Sequence, residues 1–184
     1  METDDDIVVR VATAMDVDFA LPIVAEMEAS AKARGTGISK RDPAAIKEKI
    51  LSGKAVIAFT SDGVWAGFSY IQAWEENHFV SNSGLIVAPA FRGLKVAAAI
   101  KKKIFELSRE MYPAAKIFSI TTGLPVMKLN SRLGFEPVTY AEITKDTHFW
   151  EGCKSCVNHD ILVDKNYKNC LCTAMLFSPQ IVAE

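Results

Sequence analysis

Residues 83–100, SGLIVAPAFRGLKVAAAI, constrain this chain more than any other stretch. An apolar run ends at Pro89, a turn passes through Arg92-Gly93, and from Val96 the apolar residues Ile100, Ile104, Leu107 and Met111 recur at three- and four-residue steps. The pattern predicts a strand leading through a short loop into a long amphipathic helix that stops before Pro113. Such a helix start suits phosphate: its first N–H groups lack intrahelical partners, and the helix dipole adds positive potential. Gly93, Ala97 and Ala98 would let a pyrophosphate approach the main chain, and Arg92 offers a charge-assisted contact. An ordinary strand-helix junction is the competing reading.

The remaining pattern alternates strands and helices. A strand is expected over 7–11, then a helix opened by Asp16 and Asp18, carrying Phe19, Ile23, Val24 and Met27 and kinked by Pro22. A basic loop runs from Arg34 to Arg41, and Asp42-Pro43 starts a short helix to Leu51. Strands over 54–60 and 64–72 form a hairpin through Ser61-Asp62-Gly63. Further strands are predicted over 79–87 and 116–122, then a short helix with Pro125, Val126, Leu129 and Leu133, closed by Gly134. Runs at 138–143, 157–163 and 171–177 read as strands. The fold class is mixed α/β (α+β): one mostly antiparallel central sheet flanked by about four helices, in a single domain.

Composition narrows the function classes. The 184 residues are 49% hydrophobic with a formal net charge of −1, so the broad positive field of a nucleic-acid binder is missing. Residues 1–6 are acidic where a leader would be basic, and no run is long and apolar enough to span a bilayer, so a cytoplasmic protein is expected.

The motif Val87-x-Pro89-x-x-Arg92-Gly93-x-Lys95-x-Ala97 resembles the signature of the GNAT acyltransferases, with lysine where the family has its second glycine. Leu129 to Phe135, LNSRLGF, is similar to the family's second landmark, Leu-Tyr-x-x-x-Gly-Phe, with Asn130 in place of the tyrosine. The resemblance covers about 7–143, leaving 144–184 as a cysteine-containing C-terminal β extension. It implies an acyl-coenzyme A cosubstrate, bound by Ile86, Val87, Arg92, Gly93, Leu94, Lys95, Val96, Ala97 and Asn130. It further implies that the strand before Pro89 splays from its neighbour, freeing main-chain groups for pantetheine and placing the Val87 N–H against the oxyanion. In the family the landmark tyrosine protonates the leaving thiolate; Asn130 could only hydrogen-bond there, although a thiol titrating near roughly 8.5 needs little help.

Glu75, Glu76 and His78 are the nearest candidates for a base, against a bland reading as solvated loop residues. The resemblance places acceptor loops between the first two helices, where Arg34, Lys40 and Arg41 suit a carboxylate-bearing acceptor. The wider chain resembles a bacterial group associated with arginine biosynthesis and glutamate N-acylation, with acetyl or succinyl as the donor's acyl group. Lys101 to Lys103 read as solvated, with contact to a cofactor phosphate as the alternative. Cys153, Cys156, Cys170 and Cys172, with His159 as a spare donor, could hold a structural zinc or remain thiols outside the acyl-transfer chemistry. A non-catalytic acyl-coenzyme A sensor and a protein-lysine acceptor are the competing functions. The partner is expected to be a small amine, and a homodimer stays open.

Overall fold

The computed structural model describes residues 7–35 and 40–180. Its strands are β1 (Ile7–Val11), β2 (Ala55–Thr60), β3 (Trp65–Trp74), β4 (Phe79–Val87), β5 (Lys116–Thr121), β6 (Glu136–Val138) and β7 (Thr173–Phe177). They form one sheet in the order β1-β2-β3-β4-β5-β7-β6, antiparallel except for the β4–β5 pair. The helices are α1 (Ala20–Arg34), α2 (Pro43–Leu51), α3 (Val96–Met111), α4 (Leu124–Arg132), α5 (Thr147–Glu151) and α6 (His159–Asp164).

Strand periodicity sorts the core onto two faces. Ala55, Ile57, Phe68 and Tyr70 pack under Ile23 and Met27 of α1 and Ile46 and Ile50 of α2. Their neighbours Val56, Ala58, Ala66 and Ile71 meet Val96, Ile100 and Ile104 of α3 on the other face. Gly67 lets α3 lie close, since a β-carbon there would fall 2.5 Å from Ile100 Cδ1 and 2.8 Å from the Ile86 carbonyl oxygen. In the β2–β3 turn, Gly63 takes φ +90° and the Val64 N–H donates to Thr60 Oγ1 at 2.9 Å.

Two expectations change. Ala14–Phe19 forms a 3-10 turn, so α1 proper starts at Ala20 and Pro22 lies in its first turn, where a missing N–H removes no helical bond. Asp16 is buried there, accepting two bonds from Arg10 at 2.7 and 2.9 Å and one from the Thr13 N–H at 2.7 Å.

The C-terminal region is a β extension only in part: the expected run at 171–177 gives β7, but the residues before it are helical. The run at 157–163 falls largely in α6 (His159–Asp164), and Cys153 lies in a 3-10 turn over Gly152–Ser155. A strand would have buried Ile161 and Val163 together; instead Leu162 is the buried residue, Val163 is exposed, and Asp160 complements the helix N-terminus. The run at 138–143 is likewise a strand only to Val138, followed by a 3-10 turn over Tyr140–Glu142. Leu162, Tyr140 and Ile143 pack on Phe118, Ala174 and Leu176, and β7 then returns the chain between β5 and β6.

Candidate active site

The site begins where two strands part. The parallel ladder joins Phe79, Val80 and Ser81 only to Lys116, Ile117 and Phe118. β7 holds β5 from Ile117 to Thr121, while β4 follows β3 as far as the Gly67–Val87 pair, so residues 82–87 have no strand on their β5 side. The Ala88 N–H donates to the Ala66 carbonyl at 2.9 Å. Val87, one residue earlier and opposite Gly67, therefore occupies the non-bonded position of the antiparallel ladder, and its N–H turns away from β3 into the gap. Within the gap β4 bulges: Gly84 and Leu85 together oppose Ser69, and Gly84 takes φ +64°.

The gap leads to the N-terminus of α3. Gly93 and Lys95 both have positive φ, +85° and +62°, with Lys95 as the residue preceding the helix. The lysine thus holds a conformation that glycine adopts without the roughly 1–2 kcal/mol left-handed penalty of other residues. Gly93, Leu94 and Lys95 are exposed, Val96 is buried, and Ala97 is half-buried. Arg92 departs from its expected role. Its guanidinium donates to Glu26 at 2.8 Å and Ser30 Oγ at 3.2 Å on α1, and its Nε to the Val87 carbonyl at 3.2 Å. It braces the loop against α1 through Nη2, which reaches one oxygen of the Glu26 carboxylate.

On the α1–α2 face a cavity of about 740 Å³ extends from β4 and β5 to the C-terminal helices. Arg34, Lys40 and Arg41 line it. Arg34 donates from Nε to Ser30 O at 3.2 Å, the Lys40 N–H to Ser155 Oγ at 2.9 Å, and the Arg41 guanidinium lies 5.9 Å from the Tyr70 ring centroid. The middle of the basic loop, residues 36–39, lies outside the described residues. Lys49 of α2 adds a fourth cation, 8% exposed and 3.2 Å from Glu48. Sequence reasoning missed it, although its spacing from Ile46 and next to Ile50 puts it at the edge of the buried stripe.

Other expected site residues are elsewhere. Glu75, Glu76 and His78 form the turn at the opposite end of β4 from Val87, about 25 Å away at a strand's rise per residue, and do not line the cavity. Glu75 accepts from Thr144 Oγ1 at 2.7 Å and from the Lys145 N–H. These bonds, the hydroxyl's foremost, hold its carboxyl below the usual range, making it an anchor for the C-terminal segment. His78 Nδ1 meets the Glu75 carbonyl at 2.6 Å. Asn130 is fully buried, with Nδ2 3.7 Å from Met175 Sδ and Oδ1 without a partner, so it faces the core instead of a cofactor.

Lys101 is also corrected: Lys102 is exposed, but Lys101 is 2% exposed. Its Nζ lies 3.4 Å from Asn82 Oδ1 and 5.0 Å from the Phe135 ring centroid, while Asn82 Nδ2 donates to Ser108 Oγ at 2.8 Å. Burial pushes its pKa down to about 7. Ala97, Ile104 and Ser108, at steps of four, three and seven from it, are the signal for the inward face.

The four cysteines are free and line the same cavity, though the sequence had set them apart from the chemistry. Among the described residues no group of three or more His, Cys, Asp or Glu is arranged to hold a metal ion, so the zinc expectation is withdrawn. Burial first, then neighbouring thiols, raises Cys153 to about 11 and pushes Cys172 higher still. Tyr140 donates to the Cys172 carbonyl at 2.7 Å and lies 2.9 Å from Cys170 Sγ. Cys153 and Cys172 thus pack as neutral thiols.

No protein-family model and no curated protein sequence matches the chain. Solved structures do. An acetyltransferase of the GNAT family from Listeria monocytogenes aligns with TM-score 0.58 and 17% identity, over 72% of this chain and 87% of its own. The fold is that of the GNAT acetyltransferases. Rv2747 from Mycobacterium tuberculosis, in complex with CoA and NLQ, shares this GNAT-like architecture with TM-score 0.65 and 19% identity, over 93% of this chain and 98% of its own. N-acetylglutamate synthase from Neisseria gonorrhoeae, with coenzyme A and N-acetyl-glutamate, gives TM-score 0.66 and 14% identity over 95% of this chain. The present GNAT-fold chain corresponds to 35% of that protein's length. Among the described residues, no helix is long and apolar enough to cross a membrane.

Proposed function

We propose that the whole chain, 1–184, is one N-acyltransferase domain that moves an acetyl or succinyl group from acyl-coenzyme A to the amine of a small carboxylate-bearing acceptor such as glutamate. The carrying observation is the junction of a strand gap with a cation-lined cavity: Val87 turns an unpaired N–H into the gap, and Arg34, Lys40, Arg41 and Lys49 line the space beside it. The pantetheine arm would complete the missing strand bonds along 82–87, and the diphosphate would lie on the main-chain amides of Arg92 to Ala97. Attack by the amine forms the C–N bond and places negative charge on the carbonyl oxygen, which the Val87 N–H receives. Collapse breaks the C–S bond, and sulfur leaves with the electron pair.

The cavity also bears on the acceptor's proton. Clustered cations disfavour an ammonium among them, so an amine loses its proton there more readily than in water. The coenzyme A complexes of similar structures support the donor, and the N-acetyl-glutamate complex supports an acidic amino-acid acceptor. Such an acceptor fits arginine biosynthesis, and four free cysteines fit the reducing cytoplasm.

Thiol release from acetyl- and succinyl-coenzyme A, measured with a panel of amino acids, tests the reading. Release stimulated by an acidic amino acid is expected; no acyl-coenzyme A binding would refute it. The inward-facing Asn130 favours one second reading, a sensor that binds the thioester without turnover. Binding without release under every amine would select it.

A further inference from the structure

The landmark phenol is missing from α4, yet another phenol stands at the gap. Tyr70 of β3 lines the cavity directly beside the β4 bulge. A β-carbon at Gly84 would lie 2.6 Å from Tyr70 Cε1 and 2.9 Å from Cδ1, so the ring occupies the space that this glycine leaves open. Arg41 flanks it at 5.9 Å, and Phe68 lies 6.2 Å away between centroids. Ring and backbone thus hold the side chain in place, while its hydroxyl has no hydrogen-bond partner among the described residues. Tyr140, which also lines the cavity, is different, because its hydroxyl is committed to Cys172 and Cys170. Glu75 and His78, the expected proton carriers, lie at the far end of β4. Among the described residues the cavity's one carboxylate, Glu48, is paired with Lys49, and its two histidines sit on the C-terminal helices: His148 on α5, 3.6 Å from Glu151, and His159 on α6.

Resting on the acyltransferase reading, we infer that Tyr70 is the proton-carrying residue of the transfer. After attack, the tetrahedral carbon bears the protonated amine nitrogen and the sulfur together, so one hydroxyl beside it can serve both. As the C–S bond breaks and its electron pair moves to sulfur, the Tyr70 O–H gives its proton to sulfur. Its oxygen takes a proton from the nitrogen. The products are the amide and the free thiol, Tyr70 is regenerated, and no further reactant is consumed. The carbonyl oxygen stays with the Val87 N–H.

Tyr70→Phe tests this because it removes one oxygen and keeps the ring against Gly84 and Arg41. With acetyl-coenzyme A and the panel amine that gives the fastest release, kcat should fall about 100-fold, the lower range for a positioned proton donor. The KM for acetyl-coenzyme A should stay within about twofold and the melting temperature should not change. The oxygen ester analogue of acetyl-coenzyme A, whose alkoxide needs the proton more, should show a larger defect than the thioester. A kcat within about threefold of wild type, or a defect confined to the acceptor's KM, would overturn the inference while leaving the acyltransferase reading in place. No thiol release by the wild type would overturn both.

Discussion

Lys101 should make the stability of the free protein rise with pH. In the unfolded chain its ammonium titrates near 10.5, whereas burial lowers the folded value to about 7. Below pH 7 both states carry the proton, so this residue contributes no slope. Between about 7 and 10.5 the unfolded state binds one proton more, and stability rises by about 1.4 kcal/mol per pH unit. The gain from pH 7 to 9.5 is then about 3 kcal/mol. Asn82, Ser108 and the Phe135 ring are the groups facing the amine, and none brings an opposing charge. Urea unfolding of wild type and Lys101→Met at intervals from pH 6.5 to 9.5 isolates the effect. The variant leaves Asn82 Oδ1 without its donor, at about 1–3 kcal/mol, but that offset is independent of pH. The wild-type curve should climb relative to the variant's across this range; parallel curves would refute the reasoning.

Three other perturbations follow from named contacts. Gly84→Ala places a methyl group 2.6 Å from the Tyr70 ring and 3.0 Å from Met27 Cε at a φ of +64°, and should lower stability by about 2–4 kcal/mol in denaturant titration. Asp16, held below the ordinary carboxyl range first by its Arg10 bonds, should lose its contribution as pH falls from about 4 through its folded value. Asp16→Asn should flatten that acid limb of the stability curve; an unchanged limb would show that other carboxyls govern it. Lys49→Met should raise the KM of an acidic acceptor about tenfold and leave that of acetyl-coenzyme A unchanged. Equal effects on both would remove Lys49 from the acceptor site.

Local signals made most of the fold legible. Val96 to Met111 is a helix because its apolar spacing, the preceding glycine turn and the following proline agree, and 79–87 is bounded by its β-branched run and Pro89. The same logic failed at 157–163, where one buried Leu162 decides the face and β-branched composition misleads. Within the site, the loop before α3 was readable because glycine and helix-start chemistry are local. Tyr70, Lys49 and Lys101 were not: their roles depend on β3 register, α2 docking and the gap beneath α3, all set by contacts distant in sequence. Asn130 misled for the opposite reason, since its place in the motif was right while its side chain turned toward Met175.

The gap is built into the fold and does not depend on a ligand to pry it open. A parallel pair joined through α3 could in principle continue to Val87, but two features prevent it. The bulge at Gly84 changes the course of β4 one residue after Ser83, and that glycine is dictated from the neighbouring strand, whose Tyr70 ring fills the place of any side chain. On the other side, β7 pairs with β5 residue by residue from Ile117 to Thr121, so bending β5 after the diverging β4 would strain that antiparallel ladder. A strand-like arm entering the gap therefore meets backbone groups already held in place, and its binding need not disrupt any β4–β5 hydrogen bond. The same Tyr70 that enforces the bulge also lines the cavity beside it, which couples the shape of the donor groove to the chemistry inferred for it.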